Sequence, residues 1–132
     1  ANVRLVGPGI WEPDLGAIPD LDLGDRPLML ATCSTEFQND RALAECTLAG
    51  LADEPVAVVV TTAASDPAGL TVPANARVAR FLPHGLLLKS AACVICHGGM
   101  GITQKALAAG VPLCVEVSCM ENKNAVAWIR TN

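Results

Sequence analysis

From Pro27 onward, short apolar runs bounded by turn residues alternate with amphipathic stretches, a pattern that predicts strands and helices in succession. Leu28 to Thr32 is apolar between Pro27 and Ser34 and predicts a buried strand. A helix fits Asn39 to Asp53, with Asn39 or Asp40 as its cap and Leu43, Cys46, Leu48 and Leu51 on its apolar face. That face reads as core, because an amphipathic helix normally buries it. Val56 to Thr62 is rich in β-branched residues and predicts the firmest strand. Ala63 to Asn75, carrying Pro67, Gly69 and Pro73, predicts a loop. Arg77 to Phe81 predicts a shorter strand, and Pro83 opens a short helix through Ser90. Cys93 to Cys96 predicts a further buried strand, Thr103 to Ala109 a helix closed by Gly110, Pro112 to Val117 a strand, and Glu121 to Arg130 a last helix. Strands alternating with helices imply a Rossmann-like, doubly wound parallel sheet with right-handed crossovers.

Residues 1–26 break this pattern. They are rich in Gly, Pro and Asp, with a short strand predicted at Val3 to Val6 and stopped by Gly7-Pro8-Gly9. The remainder reads as a loop or interdomain linker, and residues 27–132 as the domain proper. A length of 132 residues suits one domain with a real core. Hydrophobic residues make up 52% of the chain, which predicts a globular fold. Aromatics are only 3%, with no Tyr, so the core falls to Ala, Val, Leu and Ile, as in buried parallel strands under small-residue helices.

The net charge is -4 and the nine Lys and Arg are scattered, which argues against a nucleic-acid surface. An anionic ligand would have to be held by local dipoles and backbone N–H groups. No apolar run approaches the roughly 20 residues that span a bilayer, and no basic-then-apolar leader is seen, so a cytoplasmic location is expected. The six cysteines lie mostly in apolar runs and read as reduced thiols.

Candidate chemistry gathers where strands end, since ligands of open parallel sheets bind beyond the carboxyl ends of the strands. Four segments fall there: Thr32-Cys33-Ser34, Leu82-Pro83-His84-Gly85, His97 to Thr103, and Ser118 to Asn122. All four are expected to line one crevice. In His97-Gly98-Gly99-Met100-Gly101-Ile102-Thr103 the glycines allow a tight turn and close backbone approach. The helix that follows offers free N–H groups and the positive end of its dipole, a site for phosphate or diphosphate. Thr103 and Ser34 offer hydroxyl donors, and His97 can donate to a phosphate oxygen as charge builds on a leaving diphosphate. The turn alone reads equally as a strand-to-helix connection with no ligand. It is neither a Walker loop nor a G-x-G-x-x-G fingerprint.

Cys93-Val94-Ile95-Cys96-His97 spells the pattern of c-type haem attachment, but on a strand positions three apart face opposite sides, so both thiols cannot clasp one porphyrin. No second Cys or His pair stands at zinc-ligand spacing. His84 reads as a surface loop histidine, and Trp11 and Trp128 as packing or interface residues.

Taken in order, Phe81-Leu82-Pro83-His84 followed by His97-Gly98-Gly99-Met100-Gly101-Ile102-Thr103-Gln104-Lys105-Ala106-Leu107-Ala108-Ala109-Gly110-Val111-Pro112 resembles the signature of GT-B glycosyltransferases. The likeness is to the branch with the macrolide and antibiotic enzymes and the UDP-glucuronosyl and plant secondary-metabolite enzymes. Asn2 to Pro8 resembles that family's interdomain linker. The resemblance implies the nucleotide-sugar donor domain of an enzyme that transfers sugar from a UDP- or dTDP-sugar to a small hydroxylated acceptor. No metal or other cofactor is expected. The acceptor pocket and catalytic base are expected in an N-terminal domain or partner subunit, leaving this chain inactive in transfer by itself. A non-catalytic nucleotide-binding subunit and a nucleotide-sugar epimerase are the other functions this fold admits.

By position, the resemblance puts Phe81 and Leu82 at the base, Ser34 near the phosphates or sugar, and His97 with Gly99, Met100, Gly101 and Thr103 on the diphosphate. It puts Glu121 and Asn122 on the donor sugar hydroxyls. Lys105 stands where the family often has a Glu that holds the ribose; Lys cannot accept a hydrogen bond, so that contact is lost or passes to Gln104. Ile102 replaces a frequent Ser or Thr, and beyond Val115 the sequence drifts from the family pattern.

Overall fold

A computed structural model describes residues 2–4, 9–14, 16–36 and 40–116. Five strands run in chain order: β1 (Leu28–Thr32), β2 (Ala57–Thr61), β3 (Ala76–Ala79), β4 (Ala91–Cys96) and β5 (Leu113–Val115). They form one sheet in the order β3-β2-β1-β4-β5, with every pairing parallel. Three helices join them: α1 (Arg41–Gly50), α2 (His84–Leu87) and α3 (Met100–Ala108). The chain passes from β2 to β3 through a loop, in the region that Pro67, Gly69 and Pro73 break up.

The apolar runs become strands because both faces of the sheet are covered. All five residues of β2 are buried. On one face Leu28, Leu30, Val59, Val94 and Cys96 pack with Leu87, Leu88, Ile102 and Ala106. On the other, Ala31, Val58 and Val60 pack with Ala44 and Leu48. Thus α1 covers one side and α2 and α3 the other, which makes the sheet doubly wound.

Several boundaries differ from expectation. Val3 and Arg4 belong to no strand, while Leu5 and Val6 lie outside the described residues, as does the helix expected at Glu121 to Arg130. In α1 the buried residues are Leu43, Ala44, Thr47 and Leu48, and Cys46 is exposed. The 3.6-residue period sets Thr47, four residues from Leu43, on the inner face and turns Cys46 away. Asp40 sits at the α1 N-cap position but makes no cap hydrogen bond. Its carboxylate instead accepts the Ser34 N–H and, at 3.4 Å, the Ser65 hydroxyl. Phe81 falls beyond β3, which ends at Ala79. Helix α3 begins three residues earlier than Thr103, so Met100 and Gly101 form its first turn.

Leu30 is fully buried at the centre of the middle strand. Replacement by Ala is expected to cost about 2–5 kcal/mol from lost burial plus the cavity left behind. Urea unfolding should show a lower midpoint with an unchanged slope.

Candidate functional site

Strand β1 lies between β2 and β4, so the chain leaves its carboxyl end toward one face and that of β4 toward the other. The gap between the two departing segments is the position where open α/β sheets take their ligands. A cleft of about 320 Å³ opens there, lined by Thr32 to Thr35 after β1, His97 and Gly99 to Ile102 after β4, and His84 and Lys105 at its side. Two other hollows, of about 310 and 430 Å³, lie behind α1 and under residues 18–24; neither holds a histidine or the N-terminus of a helix.

The turn out of β4 explains its glycines by two separate demands. Gly98 has φ +84°, in the left-handed region that a side chain disfavours. Gly99 has φ -60°, which any residue adopts, but a Cβ there would lie 2.5 Å from His97 Nε2. Space rather than conformation excludes a side chain at that position. The first bond of α3 runs from the Thr103 N–H to the Gly99 carbonyl at 3.1 Å. The N–H groups of Met100, Gly101 and Ile102 precede it and are left free by the helix itself.

His97 is 7% exposed, and its Nδ1 is sealed from solvent with no hydrogen-bond partner among the described residues. A buried polar atom without a partner costs about 1–3 kcal/mol, so the ring is short of a contact on its Nδ1 side, while the residue itself lines the cleft. Ser34 is also buried at the cleft; its N–H is held by Asp40, and its Oγ accepts the Glu36 N–H at 3.1 Å. Its hydroxyl proton has no acceptor among the described residues.

The other expected residues divide. Met100 and Gly101 line the cleft. Thr103 does not: it is 1% exposed, with its Oγ1 sealed from solvent, because its helical position joins Ile102 and Ala106 on the face packed against the sheet. Gln104 is half-buried beside the lining residues and is not one of them. Leu82 belongs to the apolar core, and Phe81 is exposed with the Arg80 guanidinium 6.0 Å from its ring centre. Neither lines the cleft. Glu121 and Asn122, with the rest of Ser118 to Asn122, lie outside the described residues, as does Trp128. Trp11 is 75% exposed and so is not a packing residue within this chain.

His84 departs most from its expected role. It opens α2, is half-buried, and sets Nε2 2.9 Å from Thr61 Oγ1. Burial first, and then the Lys105 ammonium, push its imidazole below the ordinary 6.5, while Glu12 pulls the other way. Sequence reasoning missed Glu12: its Oε2 accepts the Gly85 N–H at 2.8 Å and its Oε1 lies 3.0 Å from Lys105 Nζ. It also missed Asp40, whose polar type was visible but whose partner was not.

The cysteines are free thiols among the described residues. Burial pushes Cys33 up to about 12 and raises Cys96, so neither is a ready nucleophile. Val94 and Cys96 pack on one face of β4 and Ile95 on the other, which sets Cys93 opposite Cys96 and removes a haem-clasping pair. Among the described residues no three His, Cys, Asp or Glu side chains are grouped to hold a metal. No helix there is long and apolar enough to cross a membrane.

Residues 45–127 match the model of the erythromycin biosynthesis protein CIII-like C-terminal domain. The chain belongs to that family. A PGL/p-HBAD biosynthesis glycosyltransferase of Mycobacterium tuberculosis is 40% identical over 119 residues, covering 86% of this chain and 26% of the relative. The chain therefore spans about a quarter of the length of the curated relatives it matches. Among solved structures, the glycosyltransferase SnogD from Streptomyces nogalater superposes with a TM-score of 0.67 at 29% identity, covering 95% of this chain and 34% of that one. The glycosyltransferase VinC in complex with dTDP does so at 0.65 and 28% identity, covering 85% and 29%. The family match and these neighbours establish the Rossmann-like half of the GT-B architecture expected from the sequence.

Two outcomes follow from the cleft. Gly99→Ala should force the His97 ring from its place, lowering stability by about 1–3 kcal/mol, as overpacking of a filled site does. Thermal unfolding and the histidine ring NMR signals would show it. For His84, the folded value is depressed, so below about pH 6.5 the unfolded chain takes a proton that the native chain resists. Stability contributed at this site is constant above that pH and falls as pH drops toward the lowered value. The His84→Gln variant should lose that part of the acid sensitivity, measured as the wild-type-minus-variant difference in unfolding free energy across the same pH range.

Proposed function

We propose that this chain is the donor-binding domain of a glycosyltransferase that moves sugar from a UDP- or dTDP-sugar to a small hydroxylated acceptor. The observation that carries this reading is the buried His97, its Nδ1 without a partner among the described residues, beside the amides of Met100, Gly101 and Ile102 that α3 itself leaves unbonded, in a cleft at the switch point of the sheet. A diphosphate suits that arrangement. Its charge meets the positive end of α3, its oxygens take backbone N–H donors, and the imidazole supplies one more. The relatives' names support sugar transfer, and VinC's bound dTDP supports a deoxythymidine donor as readily as a uridine one.

In the reaction, the acceptor oxygen displaces the nucleoside diphosphate from the anomeric carbon. Negative charge grows on the leaving phosphate oxygens as the glycosidic bond breaks. Donors already aimed at those oxygens stabilise that charge without reorganising. His97 therefore acts on the leaving group. We assign the base that deprotonates the acceptor hydroxyl to a second domain that also holds the acceptor. With the leaving-group charge met by amides and imidazole, the chemistry asks for no cofactor beyond the donor. A cytoplasmic location suits an enzyme that draws on nucleotide sugars and carries free thiols. An epimerase of the same fold would need acid and base groups at the sugar, and no carboxylate lines the cleft among the described residues.

Calorimetric titration of the chain with UDP, dTDP and GDP tests the reading. Binding should be seen, and His97→Ala should weaken it about tenfold, the effect of one charge-assisted hydrogen bond. Equal affinities of the two proteins for every nucleotide would remove His97 from the site.

A further inference from the structure

The cleft has one lysine or arginine among its described lining residues, Lys105, and that charge is already engaged. Glu12, from the segment before β1, sets Oε1 3.0 Å from Lys105 Nζ while its Oε2 accepts the Gly85 N–H at 2.8 Å. The pair is sheltered, with side-chain exposures of 15% for Lys105 and 24% for Glu12. One carboxylate thus bridges the start of α2 and the side of α3.

Gly101 and Lys105 are four residues apart on α3, so they share a face, and both line the cleft. Helical side chains lean toward the N-terminus, which directs the Lys105 stem toward Gly101 and the free amides beyond it. A Cβ at Gly101 would meet nothing within 4 Å, so that path is open. The ammonium therefore has two places to go: the Glu12 carboxylate it now holds, and an anion seated at the start of α3.

Resting on the donor-cleft reading above, we propose that Lys105 is a contact for the anionic part of the ligand and that Glu12 is its built-in competitor. Binding of a diphosphate moves the ammonium from the carboxylate to the phosphates. Glu12 then keeps only the Gly85 N–H, so occupancy of the cleft loosens the hold on the segment that precedes β1. The carboxylate also acts as a gate on affinity, since anions bind only by outbidding it.

Titrations of the full chain with UDP, dTDP and inorganic pyrophosphate separate the outcomes. Glu12→Gln removes the charge but keeps an oxygen for Gly85, so the fold should stand. It should tighten all three ligands about three- to fivefold, the scale of a partly exposed ion pair, with the gain fading as salt is raised. Lys105→Gln should weaken all three by a similar factor, and Lys105→Arg should restore most of the loss. Unchanged pyrophosphate affinity in either Glu12→Gln or Lys105→Gln overturns the proposal. So does a Glu12→Gln variant that weakens UDP and dTDP but leaves pyrophosphate alone, because Glu12 would then be an acceptor for sugar hydroxyls. If the wild type binds none of the three, the donor-cleft reading fails and this one with it. If it binds and His97→Ala weakens it while Glu12→Gln changes nothing, the donor-cleft reading stands and this proposal falls.

Discussion

The parallel pairing of β1 with β2 on one side and β4 on the other is the constraint from which the rest of the molecule follows. A parallel pair cannot be joined by a tight turn, so each connection must cross a face of the sheet. Connections on either side of the central strand put α1 on one face and α2 with α3 on the other. The segments leaving β1 and β4 then part, and among the described residues the space between them is a cleft. Apolar burial holds the strands in register, and the register places the cleft.

Within that frame the polar parts of the site are held by groups that do not touch its open space. Asp40 fixes the Ser34 N–H from beneath, and its own burial makes that hold hard to exchange for water. Thr61 fixes the His84 ring. Gly98 and Gly99 let His97 fold back over the start of α3, one through its backbone angle and one through its missing side chain. The result is a set of donors fixed in place by short-range contacts on a rigid sheet, the condition under which such donors act best on developing charge.

Much of this was legible from residue order. The runs at Leu28 and Val56 are apolar and short, the pattern of strands buried on both faces, while the run at Cys93 becomes a strand buried chiefly at Val94 and Cys96. The helix at His97-Gly98-Gly99-Met100-Gly101 was misplaced at its start, because Gly101 looks like part of the loop. Glycine is a poor helix former, so the pattern gives no reason to start the helix before it. Thr103 carries a hydroxyl, but only the helix phase reveals that it faces the sheet. Glu12 was out of reach altogether. It lies in a Gly- and Pro-rich segment with no periodicity, and its partners Gly85 and Lys105 are distant in the chain. Contacts of that kind are set by how the chain is routed, and local pattern carries no trace of them.

The cleft owes its existence to strand order and not to a packing defect. An interior void tends to collapse or to be filled by its neighbours, whereas a gap between two diverging backbone routes stays open at no cost to the apolar layers beneath. The domain therefore presents a ligand with a recess shaped in advance, and little ordering free energy is spent on arrival. It also means that loops around the recess are free to vary in length and chemistry without disturbing the sheet. One scaffold of this kind can be inherited whole while the molecules it holds are exchanged.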